Sequence, residues 1–184
     1  MILNLEAFPQ RVRSYYMVAV AAMARADGRL DDREMAFLEQ KIRDFELTRY
    51  YRDRVIQAAR SGRPNMHQLF RKIRGTPLAY NLLLDLMMMA MSDGVVMDEE
   101  RMLFHEVAEE LGIPEQFLSL LVEFVHAVHY GAQLPCPDPL YEHPIQEMLN
   151  YFSEQKIPLL NNATFCVVSE EYNQRLKERL GRVN

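Results

Sequence analysis

The chain has 184 residues, of which 49% are hydrophobic and 26% are charged, and its formal net charge is −5. These proportions are ordinary for a globular protein, and a chain of this length can bury a substantial core as a single domain. Its longest apolar runs, residues 17–24 and 86–91, are far shorter than the ~20 residues that a membrane span requires. With two cysteines and no CxxC pair, the composition excludes a disulfide framework and a zinc knuckle. We therefore expect a cytoplasmic protein.

Apolar residues recur at helical spacing along most of the chain, which predicts an all-α fold. Such stripes cover residues 12–23, 35–45 and 51–58, and the strongest consists of Phe117, Leu120, Leu121, Phe124, Val125 and Val128. Asn65 and Thr76 have side chains suited to N-caps, and Pro77 occupies the first helical position after Thr76. Glycines at 62, 75, 112 and 131 predict helix ends, and ATFCVVS at 163–169 is the one candidate strand.

The last third of the chain has a different character from the rest. A proline-rich segment at 134–144 interrupts the helical pattern, and an amphipathic stretch at 145–154 and a helix near 169–180 follow it. Fifty residues make a poor independent core. We therefore predict a helical domain over residues 1–131 and a proline-interrupted extension over residues 132–184 that packs on the same domain.

One phrase, Asp-Gly-x-[Leu/Val]-x-x-x-Glu, occurs twice. It runs from Asp27 to Glu34 and again from Asp93 to Glu100. Each copy follows a helix rich in alanine and methionine and precedes two further helices. The sequence thus predicts a duplicated unit of helix, Asp-Gly turn, helix and helix, with an extra helix at 65–74 between the copies. Both glutamates fall in the first turn of a helix, where free N–H groups favour a carboxylate, so a purely structural interpretation is also open.

The phrase matches the second half of an EF-hand loop, but the upstream ligand positions carry methionine or arginine instead of acids. One half-loop cannot supply the six to eight oxygens that calcium requires, so two independent EF-hand sites are not expected. If the two units pack about a pseudo-twofold axis, Asp27, Glu34, Asp93 and Glu100 would converge. Such a pocket, rich in oxygen ligands, would suit Ca²⁺, Mg²⁺ or Mn²⁺.

The doubled phrase resembles the TerB-like domain of tellurite-resistance proteins, over roughly residues 10–131. The resemblance implies a compact bundle of about seven helices with internal duplication. It also implies an acidic, metal-chelating surface at Asp27, Glu34, Asp93 and Glu100, with Asp31 as a neighbour in the first copy. Members are linked to tellurite or other chemical stress and to membrane-associated complexes, so membrane association of this chain would depend on a partner. Met97 departs from the family pattern, and residues beyond 131 have no counterpart in it.

Charge is segregated along the sequence. Residues 49–74 hold eight Lys and Arg against Asp53 alone, and residues 85–123 hold ten Asp and Glu against Arg101 alone. Two interpretations are open: the segments face each other in the fold, or they form separate solvated surfaces. A nucleic-acid site is not expected, because the whole chain is acidic and no recognition motif is evident.

Two other groups of residues were considered as metal sites. Glu123, His126 and His129 follow a helical rhythm, but only one Glu-x-x-His phrase is present and it lies opposite the apolar stripe, so we predict a solvated face. The methionine run at 87–91 fits core filling better than soft-metal binding. His105 would join the acidic site or lie at the surface, and the surface is favoured.

The sequence favours a non-enzymatic module whose paired acidic turns bind a divalent cation or a protein partner, in a stress response. The alternative is a protein-interaction scaffold that uses the basic 49–74 surface, with purely structural acidic turns. A metal-dependent hydrolase is the third interpretation, because carboxylate clusters can host two-metal chemistry.

Overall fold

The computed structural model describes residues 2–3, 7–24, 32–61, 64–91, 98–131, 139–157 and 159–160. Within these ranges lie eight helices: α1 (Gln10–Ala24), α2 (Asp32–Asp44), α3 (Arg49–Ser61), α4 (Met66–Ile73), α5 (Pro77–Ala90), α6 (Asp98–Leu111), α7 (Glu115–Gly131) and α8 (Pro139–Glu154). Two short strands, β1 (Ile2–Leu3) and β2 (Leu159–Leu160), pair in parallel. The predicted all-α fold is confirmed. None of the described helices has both the length and the apolar character needed to cross a membrane.

The helices occur in the order that the predicted duplication requires, and the duplication itself stays a prediction. One predicted unit contains α1, α2 and α3, the other contains α5, α6 and α7, and α4 lies between them in the chain. The predicted Asp-Gly turns, at 27–28 and 93–94, lie outside the described residues. The pseudo-twofold relation between the two units therefore stays a prediction.

The predicted caps have different outcomes. Asn65 caps α4, because its side chain accepts a hydrogen bond from the backbone N–H of Gln68 at 3.0 Å. Thr76 precedes α5 in an extended conformation, with Pro77 at the helix start, but makes no side-chain cap. Its hydroxyl instead donates to the carbonyl of Ile73 at 2.6 Å. Thr76 therefore belongs to the end of α4 as much as to the start of α5.

Glycine follows two of the helices, as predicted. Gly75 after α4 and Gly112 after α6 have φ of 72° and 73°. A residue with a Cβ pays about 1–2 kcal/mol for this left-handed conformation. A Cβ at Gly112 would also lie 3.0 Å from Nε of Arg74, whereas one at Gly75 would meet nothing within 4 Å.

The core is one continuous cluster, and α1 and α5 lie inside it. Helix α1 packs against α2, α3, α4 and α5, while α7 packs against α5, α6 and α8. Residues 81–89 of α5 are buried without interruption. The methionine run is part of this stretch, and Met88 and Met91 have no exposed surface. The prediction that these methionines fill the core is confirmed.

Helix α8 shows that the proline-rich segment is more helical than its sequence indicates. The helix begins at Pro139 and contains Pro144, so the second half of the 134–144 segment forms its first turns. A proline at the first helical position loses no hydrogen bond, because that N–H has no partner within the helix. Ile145 and Met148 are fully buried in the common core, and Phe152 lies against Phe117 of α7 with ring centroids 5.6 Å apart. Burial of this apolar face offsets the helical hydrogen bond that Pro144 cannot donate.

Candidate functional site

The five predicted metal ligands belong to two segments that we call the acidic corners, residues 27–34 and 93–100. Asp27, Asp31 and Asp93 lie outside the described residues. Glu34 and Glu100 are each the third residue of their helices, α2 and α6, and their side chains also lie outside the described part. Both glutamates are thus in the first helical turn, where backbone N–H groups lack partners within the helix. Convergence of the two corners stays a prediction.

A buried ionic cluster connects the helices that lead into the corners. The ammonium of Lys41 on α2 lies 2.9 Å from each carboxylate oxygen of Asp85 on α5. The hydroxyl of Tyr16 on α1 donates to the same carboxylate at 2.7 Å. Lys41 and Tyr16 have no exposed surface and Asp85 is 3% exposed. Three helices therefore meet at one carboxylate in the core.

Burial dominates the electrostatics of this cluster. It raises the pKa of Tyr16 well above 10.0, and the charge of Asp85 and the hydrogen bond to it raise this pKa further. The phenol is therefore neutral and acts as a donor at physiological pH. A buried carboxylate is stable only when it is paired and hydrogen-bonded, and Lys41 and Tyr16 together meet this requirement for Asp85.

The cluster lies close to the helix ends that lead into the two corners. Lys41 is nine residues after the start of α2, Tyr16 is eight before the end of α1, and Asp85 is five before the end of α5. At 1.5 Å per residue, these helix ends lie within about 14 Å of the cluster along their axes. Both acidic corners start from helices that the cluster joins.

The basic and acidic segments face each other at one place. Nδ1 of His67 on α4 lies 2.9 Å from a carboxylate oxygen of Glu110 on α6. A cleft of about 420 Å³ beside this pair is lined by His67, Arg71, Arg74, Glu109 and Glu110. Acids of α6 therefore lie beside basic residues of α4, as expected if the two charged segments face each other.

The family model for the tellurite resistance protein TerB matches residues 13–121, more than half of the chain. The chain belongs to the TerB family. No curated protein and no solved structure matches it. The resemblance seen in the sequence is therefore confirmed at the level of the family.

The TerB match includes both acidic corners and all three residues of the buried cluster, Tyr16, Lys41 and Asp85. It ends within α7, so α8 and everything beyond it lie outside the match. The cluster is not predicted from the sequence. The sequence feature that points to the cluster is Asp85, which is the only charged residue of α5 and is surrounded by leucines and methionines. A carboxylate in such a helix requires a buried partner.

A second cleft lies between α5, α6 and α7 of the TerB fold. It has a volume of about 250 Å³, an apolar floor that includes Phe104 and Leu118, and a polar rim that includes Arg101. His105 lies at the surface, as favoured, with Nδ1 3.3 Å from a carboxylate oxygen of Glu115 on the same rim. Within the described residues, His105 therefore pairs with an acid of α7.

The Glu123, His126 and His129 series has no metal-site geometry. Glu123 is exposed, while both histidines are half-buried. The His126 ring stacks on Tyr130 with centroids 5.9 Å apart. Burial lowers the pKa of His126 below 6.5, and the charges of Arg101 and His129 lower it further. Across the described residues, no three His, Cys, Asp or Glu side chains are grouped so that they could hold a metal ion.

Proposed function

We propose that this TerB-family chain is a non-enzymatic module that binds a divalent cation, Ca²⁺, Mg²⁺ or Mn²⁺, through its two acidic corners in a chemical-stress response. The observation that carries the proposal is that the TerB match contains both Asp-Gly segments in full. Carboxylate oxygens are the ligands that these cations prefer. A cation would also relieve the repulsion that arises where carboxylates converge.

The way the buried cluster ties the helices together also supports this proposal. A cation held between the corners would require α2 and α6 to keep a fixed separation. Helix α2 is tied to α5 through the contact between Lys41 and Asp85, and α5 leads directly into the second corner. The core therefore supplies a rigid frame for ligands that come from distant parts of the sequence.

Isothermal titration of the chelator-stripped protein with Ca²⁺, Mg²⁺ and Mn²⁺ tests the proposal. The wild type should bind at least one of these ions, and Asp27→Asn with Asp93→Asn should weaken that binding at least tenfold. Asp53→Asn with Glu123→Gln makes the same change of charge at exposed positions outside the corners and serves as the control. If the wild type releases no heat above that of dilution, or if the corner variant releases the same heat as the wild type, the proposed cation binding is refuted.

A second candidate function is a protein-interaction scaffold that uses the basic 49–74 surface. The observation that favours it is the exposure of the α3 arginines, Arg49, Arg52, Arg54 and Arg60. In the part of the chain that the structure describes, none of them forms an ion pair within 4.0 Å. Unpaired positive charge on an acidic protein can steer a partner of opposite sign.

A further inference from the structure

The structure divides the basic 49–74 segment into two parts with different surroundings. On α4, Arg71 and Arg74 line a cleft together with Glu109 and Glu110. The exposed arginines of α3 have one acid of their own helix near them, Asp53. On α4, Arg71 and Arg74 therefore share a cleft with two acids of α6, whereas the α3 arginines lie at exposed positions outside that cleft.

Tyrosine rings contact two arginines in this region, one on α3 and one on α1. The guanidinium of Arg54 lies 5.9 Å from the ring centroid of Tyr50, and the edge of Tyr50 meets Tyr51 with centroids 5.1 Å apart. On the neighbouring α1, Arg11 lies over the ring of Tyr15 at 5.6 Å and donates from Nε to its hydroxyl. Such contacts reduce the side-chain entropy that an arginine loses on binding.

We propose that this surface, which we call the Arg–Tyr face, docks an acidic segment of a partner protein. Its members are Arg11, Tyr15, Arg49, Tyr50 and Arg54. The inference rests on the scaffold candidate above and assigns it a place and a partner chemistry. Every basic residue of the face is arginine, whose planar guanidinium pairs with a carboxylate through two parallel hydrogen bonds.

The details of the face favour carboxylates over a single-stranded nucleic acid. Base stacking requires a free aromatic face, and guanidinium groups already lie over Tyr15 and Tyr50. The rings therefore serve as supports for the arginines. A long polyanion would also extend beyond the ~18 Å of α3, at 1.5 Å per residue.

A membrane surface is disfavoured for a related reason. Stable association with a bilayer needs an apolar anchor in addition to basic residues. Of the large hydrophobic residues exposed in the described part of the chain, Tyr50 is the one on this face, and Met102, Tyr130 and Leu140 lie on other helices. A short acidic protein segment matches both the extent and the chemistry of the face.

Fluorescence anisotropy of a labelled oligo-glutamate peptide, titrated with the full chain at low salt, tests the inference. The wild type should bind the peptide, with affinity that falls as salt rises. Arg49→Glu with Arg54→Glu should weaken binding at least tenfold. Arg71→Glu with Arg74→Glu makes the identical change of charge on α4 and should weaken it less than threefold. Circular dichroism confirms that each variant is folded, and Arg49→Gln with Arg54→Gln replaces the first variant if it is not.

Three results would overturn the inference. Equal losses from the two charge reversals would spread binding over the whole 49–74 surface, which leaves the scaffold function standing but removes the Arg–Tyr face. Tighter binding of a uridine oligoribonucleotide or of phosphatidylglycerol vesicles than of the peptide would refute the partner chemistry. An absence of peptide binding by the wild type would refute both the face and its partner.

Discussion

Replacing Asp85 with asparagine removes the negative charge of the buried cluster at almost constant side-chain volume. The ammonium of Lys41 is then left in the core without its counter-charge, and the hydroxyl of Tyr16 loses a charged acceptor. Removal of one partner of a buried pair costs about 3–5 kcal/mol. Because whole domains are stable by about 5–15 kcal/mol, Asp85→Asn should lose about a fifth or more of the free energy of unfolding. Lys41→Met should lose a similar amount.

The double variant Lys41→Met with Asp85→Leu distinguishes a coupled pair from two separately important residues. It replaces both charges by apolar side chains, so neither is left unpaired in the core. Such replacements are close to neutral in other buried pairs, and we expect a loss below about 2 kcal/mol. The loss should therefore be much smaller than the sum of the two single losses.

Urea unfolding followed by far-ultraviolet circular dichroism measures all four proteins, because the chain has no tryptophan to report by fluorescence. The free energies of unfolding of wild type, both single variants and the double variant form a complete cycle. Losses that add to within about 0.5 kcal/mol would refute the reasoning, since residues in contact must show coupling. A single loss below about 1 kcal/mol would refute it as well, because that is the range of exposed ion pairs.

Three further predictions concern pH and the glycines. Because the pKa of Tyr16 is raised above 10.0 in the folded state, the free energy of unfolding should fall as pH rises above 10.0. Urea unfolding at several pH values should show a smaller fall for Tyr16→Phe than for the wild type, and an equal fall would contradict the prediction. Arg101→Gln should raise the pKa of His126 in an NMR titration but leave it below 6.5, because burial is the larger cause of its lowering. An unchanged pKa would exclude Arg101 as a cause. Gly75→Ala should lower the free energy of unfolding by about 1–2 kcal/mol in thermal unfolding. Gly112→Ala should lower it somewhat more, since the new Cβ must also displace the side chain of Arg74. A stabilised variant would contradict the left-handed backbone at that position.

Periodicity predicts helices well where one face is buried. In α7 the predicted stripe is buried almost completely, from Phe117 to Val128, with Leu120 half-buried. It is less informative for α1, where Arg13 and Ser14 are buried along with the predicted apolar residues. A helix packed against four others keeps only a narrow solvent-exposed side, which includes Arg11, so the sequence marks that side weakly.

The parts of the site that escaped prediction depend on contacts distant in sequence. Lys41 and Asp85 are 44 residues apart, and no spacing rule connects them. Asp85 alone was detectable, as a charge inside an apolar helix. The acidic corners were recognised through a repeated phrase, which identifies the TerB family but does not fix the distance between the two copies. That distance depends on how the two units pack, and local propensity does not encode it.

The central place of α1 has a consequence for synthesis on the ribosome. Helix α1 leaves the exit tunnel well before α5, which packs against it, since Asp85 follows Tyr16 by 69 residues. At about 5–20 residues per second, translation leaves the side of α1 that packs against α5 uncovered for roughly 3–14 s. The nascent chain therefore passes through a period in which a chaperone can bind an uncovered apolar segment. The rate of translation up to the end of α5 sets the duration of that period.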